Sequence, residues 1–202
     1  MKYKFVSVDF QNDFTSPGGK SYKDRPSVGF VKDTLVPFLC ERKQKVAEII
    51  SDYRQPRIGD RGDLCHPGEW GYESQIPIDI KEDRVWVKCM NSPVWTREHI
   101  GDPEGIPGLP FQDPAAFDDW ISSTVGKYDE LDLVILIGLT VDCCVFCTAQ
   151  ELGFRGFKVV VLEEAVDTNS NDPAEKDLVL HNRPLKNWAK PITWEELNKI
   201  IE

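Results

Sequence analysis

Three residues in this 202-residue chain have types that do chemistry together: Asp9, Lys88 and Cys144. Each stands where an apolar, β-rich run ends. Tyr3–Asp9 reads YKFVSVD and Arg84–Lys88 reads RVWVK; Leu131–Gly138 (LDLVILIG) runs on through Leu139-Thr140-Val141-Asp142-Cys143 to Cys144. A carboxylate can take a proton from a thiol, the thiolate can attack an electrophilic carbon, and an ammonium can hold the charges in place. That is the nucleophile-plus-base set of covalent catalysis. A thiol at a helix N-terminus beside a cation is also expected to ionise more readily than usual. Singly, each residue has a plainer role: Asp9 as a turn cap, Lys88 as a solvated strand end, Cys144 as a small core hydrophobe. The combination points to chemistry.

The elements that must position them alternate along the chain. Tyr3–Asp9 is a strand. Asp33–Lys43 reads as a helix, with Pro37 confined to its first turn. Val46–Ser51 (VAEIIS) either extends that helix or forms a strand, and the strand is preferred. Pro56 to Pro77 is loop-like, and Gly101 to Pro114 is an irregular surface excursion dense in proline and glycine. Asp113-Pro114 opens a helix to about Lys127, with Asp as N-cap and Pro at the first helical position. Leu131–Gly138 has the continuous apolar character of a central parallel strand buried on both faces. A helix over Cys143–Leu152 and a strand over Phe157–Leu162 follow. Asp172-Pro173 opens another helix, and Thr193-x-x-Glu196 is a capping box for the terminal one. The alternation predicts a single α/β domain over residues 1–202. It is a three-layer sandwich, its mostly parallel sheet covered by helices on both faces. Ligands of such sheets bind beyond the carboxyl ends of the strands, where Asp9, Lys88 and Cys144 should converge.

Composition narrows the partners. The formal net charge of −10 repels phosphate backbones and anionic lipid, so no nucleic-acid or membrane partner is expected. No run approaches the ~18 apolar residues of a membrane span. The N-terminal apolar run is short and closed by Asp9, unlike a signal sequence. Cysteines stand at 40, 65, 89, 143, 144 and 147. The adjacent Cys143–Cys144 pair suits a disulfide framework poorly, and reduced thiols in a cytoplasmic protein are expected. Internal repeats and low-complexity tracts are absent.

Val8-Asp9-Phe10-Gln11-Asn12-Asp13-Phe14 resembles the opening motif of the isochorismatase-like hydrolases. Gly138-Leu139-Thr140-Val141-Asp142-Cys143-Cys144-Val145-Phe146-Cys147-Thr148-Ala149 resembles their nucleophile motif. Cys65-x-x-Gly68-x-x-Gly71-x-Glu73 and the strand ending at Lys88 fall between them in the expected order, and Ile192-Thr193-Trp194-Glu195-Glu196-Leu197 resembles the family's tail. The resemblance covers essentially the whole chain. It implies a hydrolase that cleaves a C–N bond (amide, ureide or carbamoyl) of a small molecule. Asp9 would take the proton of Cys144, the thiolate would form a thioester, and Lys88 would support both. It further implies an oxyanion hole from the backbone N–H groups of Thr140 and Cys144, a non-proline cis peptide at Leu139–Thr140, and Phe14 and Trp95 as substrate-lining aromatics. Dimers or tetramers are common in the family, with Gly101–Pro114 a candidate contact or lid.

The sequence also departs from the family. Relatives that bind zinc do so through Asp-x-His and a further His; here the stretch is Asp52-Tyr53-Arg54, and Leu64 precedes Cys65. His66, His99 and His181 lack ligand spacing. Neither metal nor cofactor is expected. Arg54 reads as a substrate-binding group for an acidic or ureido compound, or as a loop-shaping partner of Asp52 or Asp60. Trp70 suits core packing at least as well as a site. Three rival readings carry less. A vinyl-ether hydrolase of the isochorismatase type has no need of Cys144. A redox protein using Cys144-Val-Phe-Cys147 explains neither Asp9 nor Lys88, and an inactive scaffold homologue does not explain the intact trio.

Overall fold

The strands follow the apolar runs. In the computed structural model, which describes residues 1–57, 62–182 and 184–201, they are β1 (Tyr3–Val8), β2 (Val46–Ser51), β3 (Trp86–Lys88), β4 (Trp95–Thr96), β5 (Phe111–Gln112), β6 (Leu133–Leu139), β7 (Val159–Asp167) and β8 (Lys190–Ile192). Six of them form one sheet in the order β3-β2-β1-β6-β7-β8, with every pairing parallel. The chain builds outward from β1 in one direction and from β6 in the other, so the strand order reverses between these two neighbours. That reversal is where parallel sheets open a crevice for ligands.

Alternation within the central strands sends side chains to two separate cores. Val6, Val134 and Leu136 pack on one face with Phe117, Trp120, Val145, Ala149 and Leu152. Phe5, Ile135 and Ile137 pack on the other with Val28, Val31, Leu35, Leu39 and Leu197. These partners come from helices on opposite sides of the sheet: α1 (residues 26–41), α2 (residues 114–125), α3 (Cys144–Phe154) and α5 (Trp194–Ile201), with α4 (Pro173–His181) preceding the last. Three layers result, as the alternation of elements requires.

The helix boundaries reward the capping signals. Asp113 and Asp172 accept from the N–H groups of Ala116 and Ala174, each with proline at the first helical position. Thr193 and Glu196 form the reciprocal capping box. One expectation needs correcting. The helix read from Asp33 starts at Pro26, and Pro37 lies in its interior. A π-helical turn over Val31–Leu35, in which the N–H of Val36 reaches back to the carbonyl of Val31, precedes the proline. The wider turn lets the helix continue past a residue that lacks an N–H. The Gly101–Pro114 excursion is irregular except at its end, where β5 pairs antiparallel with β4. Its Ile106 and Leu109 are exposed. The short edge strand β8, which contains Pro191, carries too few apolar residues to be read in advance. Among the described residues, no helix is long and apolar enough to cross a membrane.

Candidate active site

Asp9 follows the last residue of β1, Ser51 and Lys88 end β2 and β3, and Tyr53 lies two residues beyond β2. Because these strands are neighbours, their ends place the four side chains in one hydrogen-bonded cluster. The Lys88 ammonium donates to Asp9 Oδ2 at 2.8 Å, to Ser51 Oγ at 2.7 Å and to the Tyr53 hydroxyl at 2.7 Å. Ser51 in turn donates to Asp9 Oδ1 at 2.7 Å. Cys144 opens α3 just after β6, and its Sγ lies 3.2 Å from the Tyr53 hydroxyl and 3.6 Å from Asn91 Oδ1. Asp9, Lys88 and Cys144, singled out from the sequence, thus meet in one network; Ser51, Tyr53 and Asn91 join it unannounced.

Close approach of β1 and β6 is possible because residue 138 is glycine. Gly138 has φ +113°, and a Cβ there would lie 2.0 Å from the carbonyl oxygen of Val8. Next to it, the Leu139–Thr140 peptide is cis, as the resemblance implied. Among the described residues, no backbone bond uses the N–H groups of Thr140 or Cys144. The second is one of the orphan donors of a helix start. Both residues line a cavity of about 290 Å3 together with Asp9, Phe14, Tyr53 and Asn91. Ser21, Leu64, Leu139, Cys143 and Asn169 complete its wall.

The electrostatics follow from burial. Lys88 has no exposed side-chain surface. Desolvation is the largest single influence and opposes its charge, but Asp9 together with Cys144 and Tyr53 outweighs it and holds the ammonium well above its ordinary pKa. Burial pushes Tyr53 well above the ordinary phenol value. Burial likewise raises the Cys144 thiol, with Lys88 and the Tyr53 hydrogen bond acting in the opposite direction. This corrects the expectation of a readily ionised thiol. The dipole and cation are present, but desolvation of a buried sulfur outweighs them. In the free protein Cys144 therefore rests as the thiol and Lys88 as the ammonium.

Two expected substrate contacts lie elsewhere. Arg54 and Trp95 are not among the residues lining the cavity. The Arg54 guanidinium grips Asp52 through Nε at 3.0 Å and Nη2 at 2.8 Å, and donates also to the carbonyls of Gly105 and His99. Arg97 adds a further bond to Asp52 at 2.7 Å from a side chain with no exposed surface. Arg54 thus has Asp52, one of the two partners named for the loop-shaping alternative; Asp60 lies outside the described residues. Trp95 packs against the core that α2 and α3 cover. Nothing in the sequence marked Arg97, an isolated arginine before an irregular stretch.

Solved structures share this architecture. An isochorismatase-like hydrolase from Alkaliphilus metalliredigens matches with a TM-score of 0.66 at 17% identity, over 100% of this chain and 98% of that one. The zinc-bound pyrazinamidase of Pyrococcus horikoshii matches at 0.66 and 16%, over 96% and 100%. N-carbamoylsarcosine amidase from Thermoplasma acidophilum matches at 0.56 and 21%, over 96% of each chain. The chain has the isochorismatase-like hydrolase fold. No family model matches it, and no curated protein matches it by sequence. Zinc, present in one of these structures, does not suit the residues here. Both oxygens of Asp52 already accept from guanidinium and amide N–H groups. Guanidinium groups cannot ligate a metal, and among the described residues no cluster of histidine, cysteine and carboxylate side chains offers a ligand set.

Proposed function

We propose that the protein hydrolyses a C–N bond of a small molecule through a thioester on Cys144. The observation that carries this reading is the cavity at the β1/β6 reversal, lined by Asp9, Cys144 and Thr140, the last two with N–H groups in no backbone hydrogen bond among the described residues. On substrate binding, Asp9 accepts the Cys144 proton and the thiolate attacks the carbonyl carbon. The N–H groups of Thr140 and Cys144 receive the developing oxyanion. Collapse of the tetrahedral adduct breaks the C–N bond. The nitrogen leaves with the proton from Asp9, giving an acyl-thioester. A water, deprotonated by Asp9, then attacks the thioester; the acid departs and the thiolate regains its proton. Lys88, bonded to Asp9 Oδ2, holds the carboxyl group in position through these proton transfers.

The cavity wall also bears on substrate class. Among the described residues no cationic side chain lines it; its polar groups beyond Asp9 and Cys144 include Ser21, Asn91 and Asn169, and its apolar ones Phe14, Leu64 and Leu139. With Arg54 held by Asp52, a neutral amide or ureide suits this wall better than a carboxylic acid. A carboxylate would enter beside Asp9 with no cationic side chain among the described lining residues to meet it. Ammonia release should be measured over a panel of neutral amides, ureides and carbamoyl compounds with their acidic analogues. Cys144→Ser should lower kcat on the best compound by orders of magnitude, whereas Cys147→Ser, outside the cavity wall, should not. Equal losses in the two variants would instead favour CxxC redox chemistry.

A further inference from the structure

Lys88 has three N–H protons and three acceptors, Asp9 Oδ2, Ser51 Oγ and the Tyr53 hydroxyl, at 2.7–2.8 Å. The ammonium is thereby fully used, and it reaches Cys144 through no direct hydrogen bond of its own. The Tyr53 oxygen must accept from Lys88, so the phenol proton has to point elsewhere. The other group within reach of that hydroxyl, among the described residues, is Cys144 Sγ at 3.2 Å. The direction of the contact is therefore Tyr53 O–H to sulfur. In the resting thiol, the S–H is free to face Asn91 Oδ1 or Asp9.

We propose that Tyr53 is a fourth catalytic residue, the hydrogen-bond donor that stabilises the Cys144 thiolate and passes to it the charge of Lys88. The proposal rests on the hydrolase reading for its catalytic consequence but not for its chemistry. When the S–H proton moves to Asp9, negative charge appears on a sulfur toward which the phenol is already aimed. Tyr53 keeps its own proton throughout. A phenol whose oxygen accepts from an ammonium is polarised and is a stronger donor. Once sulfur is acylated it carries no charge and the bond weakens; it strengthens again as the thiolate is expelled. The ring is fixed in this orientation by its surroundings. It is buried, with the Lys88 Nζ 4.7 Å and the Arg57 guanidinium 4.5 Å from its centroid. The titratable groups around the sulfur are Asp9 beyond β1, Tyr53 beyond β2, Lys88 at the end of β3, Cys65 from the intervening loop and Cys143 beside it. Of these, Asp9 and any thiolate at Cys65 or Cys143 disfavour the Cys144 thiolate. Tyr53 donates a hydrogen bond to it.

The test is the pH dependence of Cys144 alkylation by iodoacetamide, resolved from the other cysteines by peptide mass spectrometry. A hydrogen bond to a charged group predicts that Tyr53→Phe raises the alkylation midpoint by about one pH unit or more. For any amide that is turned over, kcat should fall roughly tenfold or more while KM changes little. Tyr53→Phe keeps the ring and its packing, and a thermal melt checks that it folds. Placing 3-fluorotyrosine at position 53 covers the case in which it does not. The more acidic phenol should lower the midpoint. An unchanged midpoint in the phenylalanine variant, or one that does not fall with the fluorinated residue, overturns the proposal. A shifted midpoint in a protein that hydrolyses no compound of the panel supports the Tyr53–thiolate bond and removes the hydrolase reading alone.

Discussion

Replacing Asp52 by asparagine removes one charge from a cluster that has no spare one. The carboxylate is fully buried. Oδ1 accepts from Arg54 Nε at 3.0 Å and Arg97 Nη2 at 2.7 Å, and Oδ2 accepts from Arg54 Nη2 at 2.8 Å and the N–H of Gly101 at 3.0 Å. Burial alone would raise its pKa, but the Arg54 hydrogen bonds, with those of Gly101 and the charge of Arg97, more than compensate and lower it. Asparagine keeps one acceptor oxygen and turns an N–H2 toward groups that are themselves donors. It also leaves the Arg97 guanidinium, with no exposed side-chain surface, without a counter-charge. Removing one partner of a buried ion pair costs about 3–5 kcal/mol. For a chain of this length each kcal/mol moves Tm by roughly 2–4 °C, so a fall of about 6–20 °C is expected. Urea unfolding with an unchanged m-value would attribute the loss to the folded state. The pH dependence carries a sign. The folded pKa is depressed, so the carboxylate's contribution is complete above the unfolded value and disappears as pH falls through the folded one. The asparagine variant should therefore lie furthest below the parent protein near neutrality and approach it in acid. A loss under about 1 kcal/mol, or a gap that widens in acid, would refute the view that two guanidiniums depend on this one carboxylate.

Alkaline stability should fall for a separate reason. The buried thiols of Cys144 and Cys65 are held above the ordinary value of 9.0, and that of Cys89 is pushed up to about 11. Above pH 9 the unfolded chain releases protons that the folded one retains, and Lys88 acts in the same sense at higher pH. Unfolding free energies from urea titrations should decline from about pH 9, by about 1.4 kcal/mol per pH unit for each proton released; a flat or rising profile would contradict the burial argument. Gly138→Ala should destabilise by about 3 kcal/mol or more, from positive φ and a Cβ driven into the Val8 carbonyl. A variant with the parent's urea midpoint would show that β1 and β6 can separate freely.

What could be read from the sequence was what apolar patterning and strand ends encode. The central strand follows from its apolar run and the Asp-Pro helices from capping, while the convergence of Asp9, Lys88 and Cys144 follows from the rule that parallel strands deliver their last residues to one edge. The same rule holds for Val46–Ser51 and points to Ser51 and Tyr53. There the signal is masked, because Asp52-Tyr53-Arg54 has the look of an incomplete metal motif. Arg54 shows the limit of residue type as a guide. An arginine and an aspartate two apart fit a substrate grip and an internal clamp equally, and no residue pattern shows that Arg97 joins Arg54 on the buried Asp52. The protonated state of Cys144 was hidden for a related reason: the helix start and the cation are written in the sequence, whereas desolvation is a property of the assembled core. Pro37 misplaced a helix start because a π-turn leaves no mark on residue type.

Asp9, Ser51, Tyr53 and Lys88 come from the ends of three hydrogen-bonded neighbours, and Cys144 follows a fourth. Their spacings are thus set by the sheet ladder, at roughly 4.8 Å per strand. By contrast, Ser21, Asn91 and Asn169 enter the cavity from irregular segments. On the proposed hydrolase reading, reactivity and substrate choice therefore sit on different parts of the architecture, one set by the sheet and one by irregular segments. A lineage built on this chain could then exchange one substrate for another by altering those three segments, while the ladder keeps the sulfur, the acid and the ammonium in step.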